Sequence, residues 1–134
     1  MTIFVPQDGE ELALRNFLNQ TAPQNQTLFL FANNITPAET DTISSYTKAT
    51  GGGYADKSLT GANWTFGTTS PTDATYNAAQ VFTFTGPLTT NPTIFGYGLH
   101  QAVSGILMYV ETTTSFTPAN NGDTYTVTPK INAD

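Results

Sequence analysis

The chain has 134 residues and a net charge of -6, with 10% charged residues against an average near 25% and no cysteine. One domain of this length buries roughly two-thirds of its unfolded surface, so one packed core suffices, and disulfides, thiolate metal sites and cysteine nucleophiles are excluded. Only Arg15, Lys48, Lys57 and Lys130 are cationic, which leaves no basic stripe for nucleic acid or an anionic lipid surface, and no apolar run reaches the length of a membrane span.

Threonine fills about a fifth of the chain, a composition of β-formers and turn-formers. The first residues lack a basic leader followed by a long apolar stretch, so no secretory signal is expected. Four Asn-x-Thr triplets, beginning at Asn19, Asn25, Asn34 and Asn63, are expected by chance in a chain this rich in both residues.

Along the chain, Asp8 is placed to cap a helix, with Glu11 reaching back from its third position. Leu14, Phe17 and Leu18 form its apolar stripe, and Pro23 follows its end. Residues 1–20 are read as an N-terminal arm with a short helix, and residues 21–134 as the β domain. The stripe either docks on a neighbouring subunit or covers the chain's own sheet.

Thr27 to Ala32 is apolar on both faces, as a central strand covered on each side should be. A loop through Pro37 follows, with a helical turn at Ile43 to Tyr46. Further strands are expected at 54–59, 62–66, 79–85, 93–99, 105–111 and 124–131, from alternation such as Val81/Thr83/Thr85 against Phe82/Phe84. Residues 99–105 read as a hairpin connection and Asn120-Asn-Gly-Asp123 as a turn. The fold class expected is mainly β: a single antiparallel β-sandwich or squat β-barrel of about seven strands, with one short N-terminal helix.

The templates for chemistry fail one after another. The sole histidine, His100, falls in the expected hairpin connection, and no Gly-x-Ser-x-Gly elbow occurs. Glu39 and Asp41 alternate in a loop and read as solvated carboxylates, and Asp8, Glu10 and Glu11 read as favourable charges at a helix start. One histidine and no cysteine make no closed zinc site, and Asn120 to Asp123 lacks the acidic alternation of a calcium loop. Gly51-Gly-Gly-Tyr-Ala-Asp56-Lys57-Ser58 approaches a phosphate loop, but Asp56 stands where the second glycine belongs; the glycines are expected to serve positive φ or a close chain approach. No catalytic residue, cofactor or metal site is expected. Trp64, Tyr76, Tyr97 and Tyr109 are candidate sugar-stacking rings, although aromatics at alternating strand positions more often fill a core.

Leu28-Phe-Leu-Phe-Ala-Asn-Asn-Ile-Thr-Pro, the run through Glu39-Thr-Asp-Thr and Tyr46 to Gly51-Gly-Gly-Tyr, Leu59-Thr-Gly-Ala-Asn-Trp64, Phe82-Thr-Phe-Thr-Gly86, Ile94-Phe-Gly-Tyr-Gly98, Gly105-Ile-Leu-Met-Tyr-Val-Glu111 and Phe116-Thr-Pro-Ala-Asn-Asn-Gly-Asp together resemble small structural proteins of tailed bacteriophages. The resemblance covers roughly residues 25 to 131. It implies a virion component without enzymatic activity, assembled in the host bacterial cytoplasm, and first of all a capsid decoration or cement protein. Such a protein binds the major capsid protein or other virion proteins and clusters as trimers or dimers. A tail or neck adaptor or fibre-attachment protein is the alternative, and a carbohydrate-binding β module for host attachment the third. Ile3, Phe4, Val5, Leu14, Phe17 and Leu18, outside the resembling region, are the expected interface onto protein.

Overall fold

A computed structural model describes residues 2–67 and 72–133, with side chains described for 4–67 and 73–132. The described residues form ten strands and one α-helix. They are β1 (Thr2–Phe4), α1 (Gln7–Phe17), β2 (Gln26–Phe31), β3 (Lys57–Leu59), β4 (Trp64–Phe66), β5 (Thr72–Tyr76), β6 (Gln80–Thr83), β7 (Ile94–Gln101), β8 (Leu107–Phe116), β9 (Thr124–Val127) and β10 (Lys130–Ala133). One-turn 3-10 helices sit at Ile43–Ser45 and Gly61–Asn63.

A five-stranded antiparallel sheet, ordered β1-β8-β7-β2-β3, is the main layer. A three-stranded sheet, β10-β5-β4, and a two-stranded ribbon, β6-β9, make up the rest. The fold is mainly β and sandwich-like with open sheets; the squat barrel is not formed, and the strands outnumber the seven expected.

Alternation in β2 divides its four buried residues between two cores. Leu28 and Leu30 join Leu59, Tyr97, Leu99 and Tyr109 of the main sheet against Tyr76, Phe82 and Val127 from the smaller sheets and Phe84 just beyond β6. Phe29 and Phe31 point the other way and pack with Tyr46, Leu107 and Val110. Loop 32–46 covers that second face. The Tyr46 ring lies edge-on to Phe31 at 4.9 Å, and its hydroxyl donates to Asp41 Oδ2 at 2.8 Å.

Two expected elements are placed differently. Asp8 does not cap the helix: α1 begins one residue earlier, with Pro6 at the N-cap and no side-chain cap. The Pro6 carbonyl accepts from the amides of Gly9 and Glu10, and Gln7 N–H donates to the Glu39 carbonyl at 3.0 Å. Those partners serve the amides of Gln7, Gly9 and Glu10, and the Asp8 side chain has no capping role. Glu11 pairs forward with Arg15 at 2.6 Å. The expected strand 124–131 breaks at Pro129, which fixes φ and cannot donate to a ladder, so β9 joins β6 and β10 joins β5.

The first residues are built into the main layer. Strand β1 pairs with β8 from Thr2↔Thr112 to Phe4↔Val110, and α1 then covers the β8 edge that β1 leaves open. Gly9 permits this: a Cβ there would lie 2.6 Å from the Met108 carbonyl oxygen. All three of Gly51, Gly52 and Gly53 have positive φ, and Gly51 bridges Leu88. The turn at residues 120–123 forms, with Asp123 N–H donating to the Asn120 carbonyl at 3.2 Å and Gly122 at φ 95°.

Candidate functional site

Helix α1 presents more apolar surface than the fold consumes. At 100° per residue, Leu12, Ala13, Phe17, Leu14 and Leu18 sweep about 240° of the helix circumference, where a helix packed on one side needs little more than 100°. Inside the fold only Gly9 and Leu12 are buried. Leu14 is 62% exposed, Phe17 86% and Leu18 60%. The stripe seen in the sequence therefore faces outward, and the covering of the sheet is done by the other side of the helix.

An apolar groove of about 460 Å³ continues this surface. Its walls are Ala13 of α1, Gln26 of β2, Met108 of β8, Trp64 and Phe66 of β4, Ala74 of β5 and Ile131 of β10. Phe17 stands one turn beyond Ala13 on the same helix row, and Phe66 is two-thirds exposed at the groove's other side. Contiguous exposed apolar surface of this kind marks interaction sites on soluble domains.

The other expected interface residues lie elsewhere. Phe4 is half-buried against the Phe29/Phe31 core and Val5 against the Leu28/Leu30 core, so both serve internal packing. The side chain of Ile3 lies outside the described residues.

The remaining residues singled out in the sequence do not assemble into a reactive centre. His100 sits in β7, not in a turn, and is half-buried. The bulge that shifts register between Leu99 and His100 lets β7 run on to Gln101. Its Nδ1 lies 2.8 Å from the Gln101 carbonyl, which can only accept, so Nδ1 carries the proton and Nε2 accepts from Lys48 Nζ at 3.2 Å. Lys48 in turn pairs with Asp56 at 2.7 Å and lies over the Phe29 ring. Both ring nitrogens are thus occupied, and the contact of Nε2 with Lys48 braces β7 to loop 48–56. Asp41 clips its own loop through Ala38 N–H and Tyr46, while Glu39 contributes its carbonyl to Gln7. Among the described residues no three His, Asp or Glu side chains gather as a metal site would require. Of the four candidate sugar-stacking rings, Tyr76, Tyr97 and Tyr109 are buried, and Trp64 is half-buried edge-on to Tyr76 with its Nε1 donating to Gln26.

Among the described residues two polar side chains are buried, Gln101 and Glu111, and the sequence marked neither as a site residue. Glu111 on β8 is 5% exposed and faces inward beside Tyr97 of β7, its cross-strand partner, and Tyr109 two residues earlier. Both phenols donate to Glu111 Oε2, Tyr109 at 3.1 Å. The sequence signal was an acid in phase with Tyr109 on the inward face of an apolar strand.

Burial, and hydrogen bonds to the Glu111 carboxylate, push the Tyr97 phenol well above its ordinary value of 10.0, and burial raises Tyr109 likewise. Tyr54 is raised by burial and by its bond to Asp56. The folded state holds these phenols in the neutral form, so their contribution to stability is whole below about pH 10 and is lost as pH rises through the folded values. Thermal melts should give a midpoint that falls steeply above pH 10, with phenolate absorbance appearing together with unfolding; a flat midpoint through that range would contradict the tyrosine burial.

No family model, no curated protein and no solved structure matches this chain.

Proposed function

We propose that this protein is a non-enzymatic structural component of a bacteriophage particle, a decoration protein that binds the head shell through the outer face of α1. The observation that carries the docking role is the apolar surplus of that helix: Leu14, Phe17 and Leu18 are exposed although the fold already has what it needs from Gly9 and Leu12. The particle is supplied by the resemblance of residues 25 to 131 to tailed-phage structural proteins. The acidic, cysteine-free, threonine-rich surface suits a subunit that stays soluble until it assembles, as net charge far from zero does in general. Docking in dimers or trimers would place several apolar helices at one site and raise avidity.

Electron microscopy of purified particles labelled with a gold-conjugated antibody to this protein tests the reading. Label in many copies over the head is the expected result. Label confined to one vertex would move the protein to the neck or tail, and unlabelled particles would overturn the virion role.

A further inference from the structure

A cavity of about 200 Å³ opens beside Glu111, walled by Tyr97, Tyr125, Val127 and the threonines Thr113, Thr126 and Thr128. Among the described residues no lysine or arginine side chain pairs with the Glu111 carboxyl group. Arg15 pairs with Glu11, Lys48 with Asp56 and Lys130 with Asp73, and Lys57 lies 5.2 Å from the centre of the Phe82 ring. These are all of the chain's lysines and arginines. The two tyrosine hydroxyls converge on Oε2, and Oε1 accepts no hydrogen bond among the described residues. A carboxylate this deep in a fold is ordinarily paired with a cation or a metal.

The walls decide which cation. Oxygen-seeking metals such as calcium take six to eight oxygen ligands, chiefly carboxylates and carbonyls, and one carboxylate among threonine and tyrosine hydroxyls does not provide that shell. One carboxylate among threonine and tyrosine hydroxyls suits an organic cation, whose N–H groups bond the carboxylate and the hydroxyl oxygens. The hydroxyl of Tyr125 bonds Thr113, which fixes that ring at the cavity. The volume is below that of drug-sized pockets and takes a head group with a short alkyl stem.

We propose that this cavity binds an alkylammonium or guanidinium group, seated against Glu111. The site is independent of the α1 face, and its failure would leave the docking role untouched. The same chemistry comes from a free amine or from a lysine or arginine side chain of a protein laid over the cavity.

Butylammonium chloride, the head group and stem of lysine, is the first probe, and a glycine-flanked single-lysine peptide is the second. Titrations followed by amide NMR should give saturable shifts centred on Tyr97, Glu111 and Tyr125, absent with sodium chloride at equal ionic strength. A tighter response to the peptide assigns a side chain as the source, and an equal one the head group alone. Glu111→Gln keeps an oxygen for the tyrosine hydroxyls and removes the charge, and it should weaken binding at least about tenfold. Thr128→Lys, at an exposed position on the cavity wall, supplies an internal ammonium and should abolish the response, which keeps the test decisive if the Glu111 variant does not fold. Shifts scattered over the acidic surface, an equal response to sodium, or undiminished binding in a folded Glu111→Gln or in Thr128→Lys would overturn the assignment.

Discussion

Gly96→Ala should destabilise the fold by more than about 3 kcal/mol, a large part of the 5–15 kcal/mol typical of a domain. A Cβ at residue 96 would lie 2.1 Å from the backbone oxygen of Glu111 and 2.5 Å from Phe31 Cζ. Neither neighbour can move cheaply. The oxygen belongs to β8, whose pairing with β7 shifts register beside Gly96, and the ring is fully buried and held edge-on by Tyr46. Gly96 pairs across the strands with Phe31, and Gly98 with Phe29, so two aromatic rings lie over two glycines of the neighbouring strand. Gly86→Ala is the control, since no atom lies within 4 Å of its added Cβ and its φ is not positive. Urea unfolding at unchanged m should show a large fall in midpoint for Gly96→Ala and almost none for Gly86→Ala. A Gly96→Ala midpoint close to that of the parent protein would mean that β7 is not packed as described.

What the sequence made legible follows from how each element is held. Strand β2 was readable because Leu28 to Phe31 must satisfy two cores at once, which leaves a continuous apolar run. The one-turn helix at Ile43–Ser45 and the turn at Asn120 to Asp123 were readable from local hydrogen-bonding side chains. Strand β5, Thr-Asp-Ala-Thr-Tyr, was not, because it is held largely by backbone pairing with β4 and β10, and Ala74 and Tyr76 alone make too short an apolar alternation to mark a strand. Strand β1 is three residues long and draws its structure from the β8 edge, a partner more than a hundred residues away.

The candidate surface was legible in its residues but not in its direction. Large apolar side chains at helical spacing mark a packed face, yet α1 meets β8 through Gly9, where the missing side chain permits the contact. Sequence patterns weight what is present, and a glycine contact is made by what is absent. The Glu111 cavity was hidden for a related reason. An acid at one end of an alternating strand reads as solvent-facing until the cross-strand register places Tyr97 opposite it.

That outward direction gives the second large expectation, the double variant Leu14→Ser/Phe17→Ser. Both side chains are exposed in the free protein, so their removal should leave the urea midpoint within a few tenths of a kcal/mol of the parent. In the bound state they would be buried against the shell, and each large apolar side chain taken fully from water contributes about 1.5–3 kcal/mol. Two of them correspond to a loss of affinity on the order of a hundredfold or more, read as occupancy of particles stripped of this protein and titrated with the purified variant. Val81→Ser supplies the comparison: it too removes an exposed apolar side chain, from β6 in the smaller ribbon, and should bind as the parent does. The contrast separates the α1 face from general surface hydrophobicity, which would weaken both variants. Undiminished occupancy by a folded Leu14→Ser/Phe17→Ser protein would exclude α1 as the docking element, because these two side chains supply most of its exposed apolar surface.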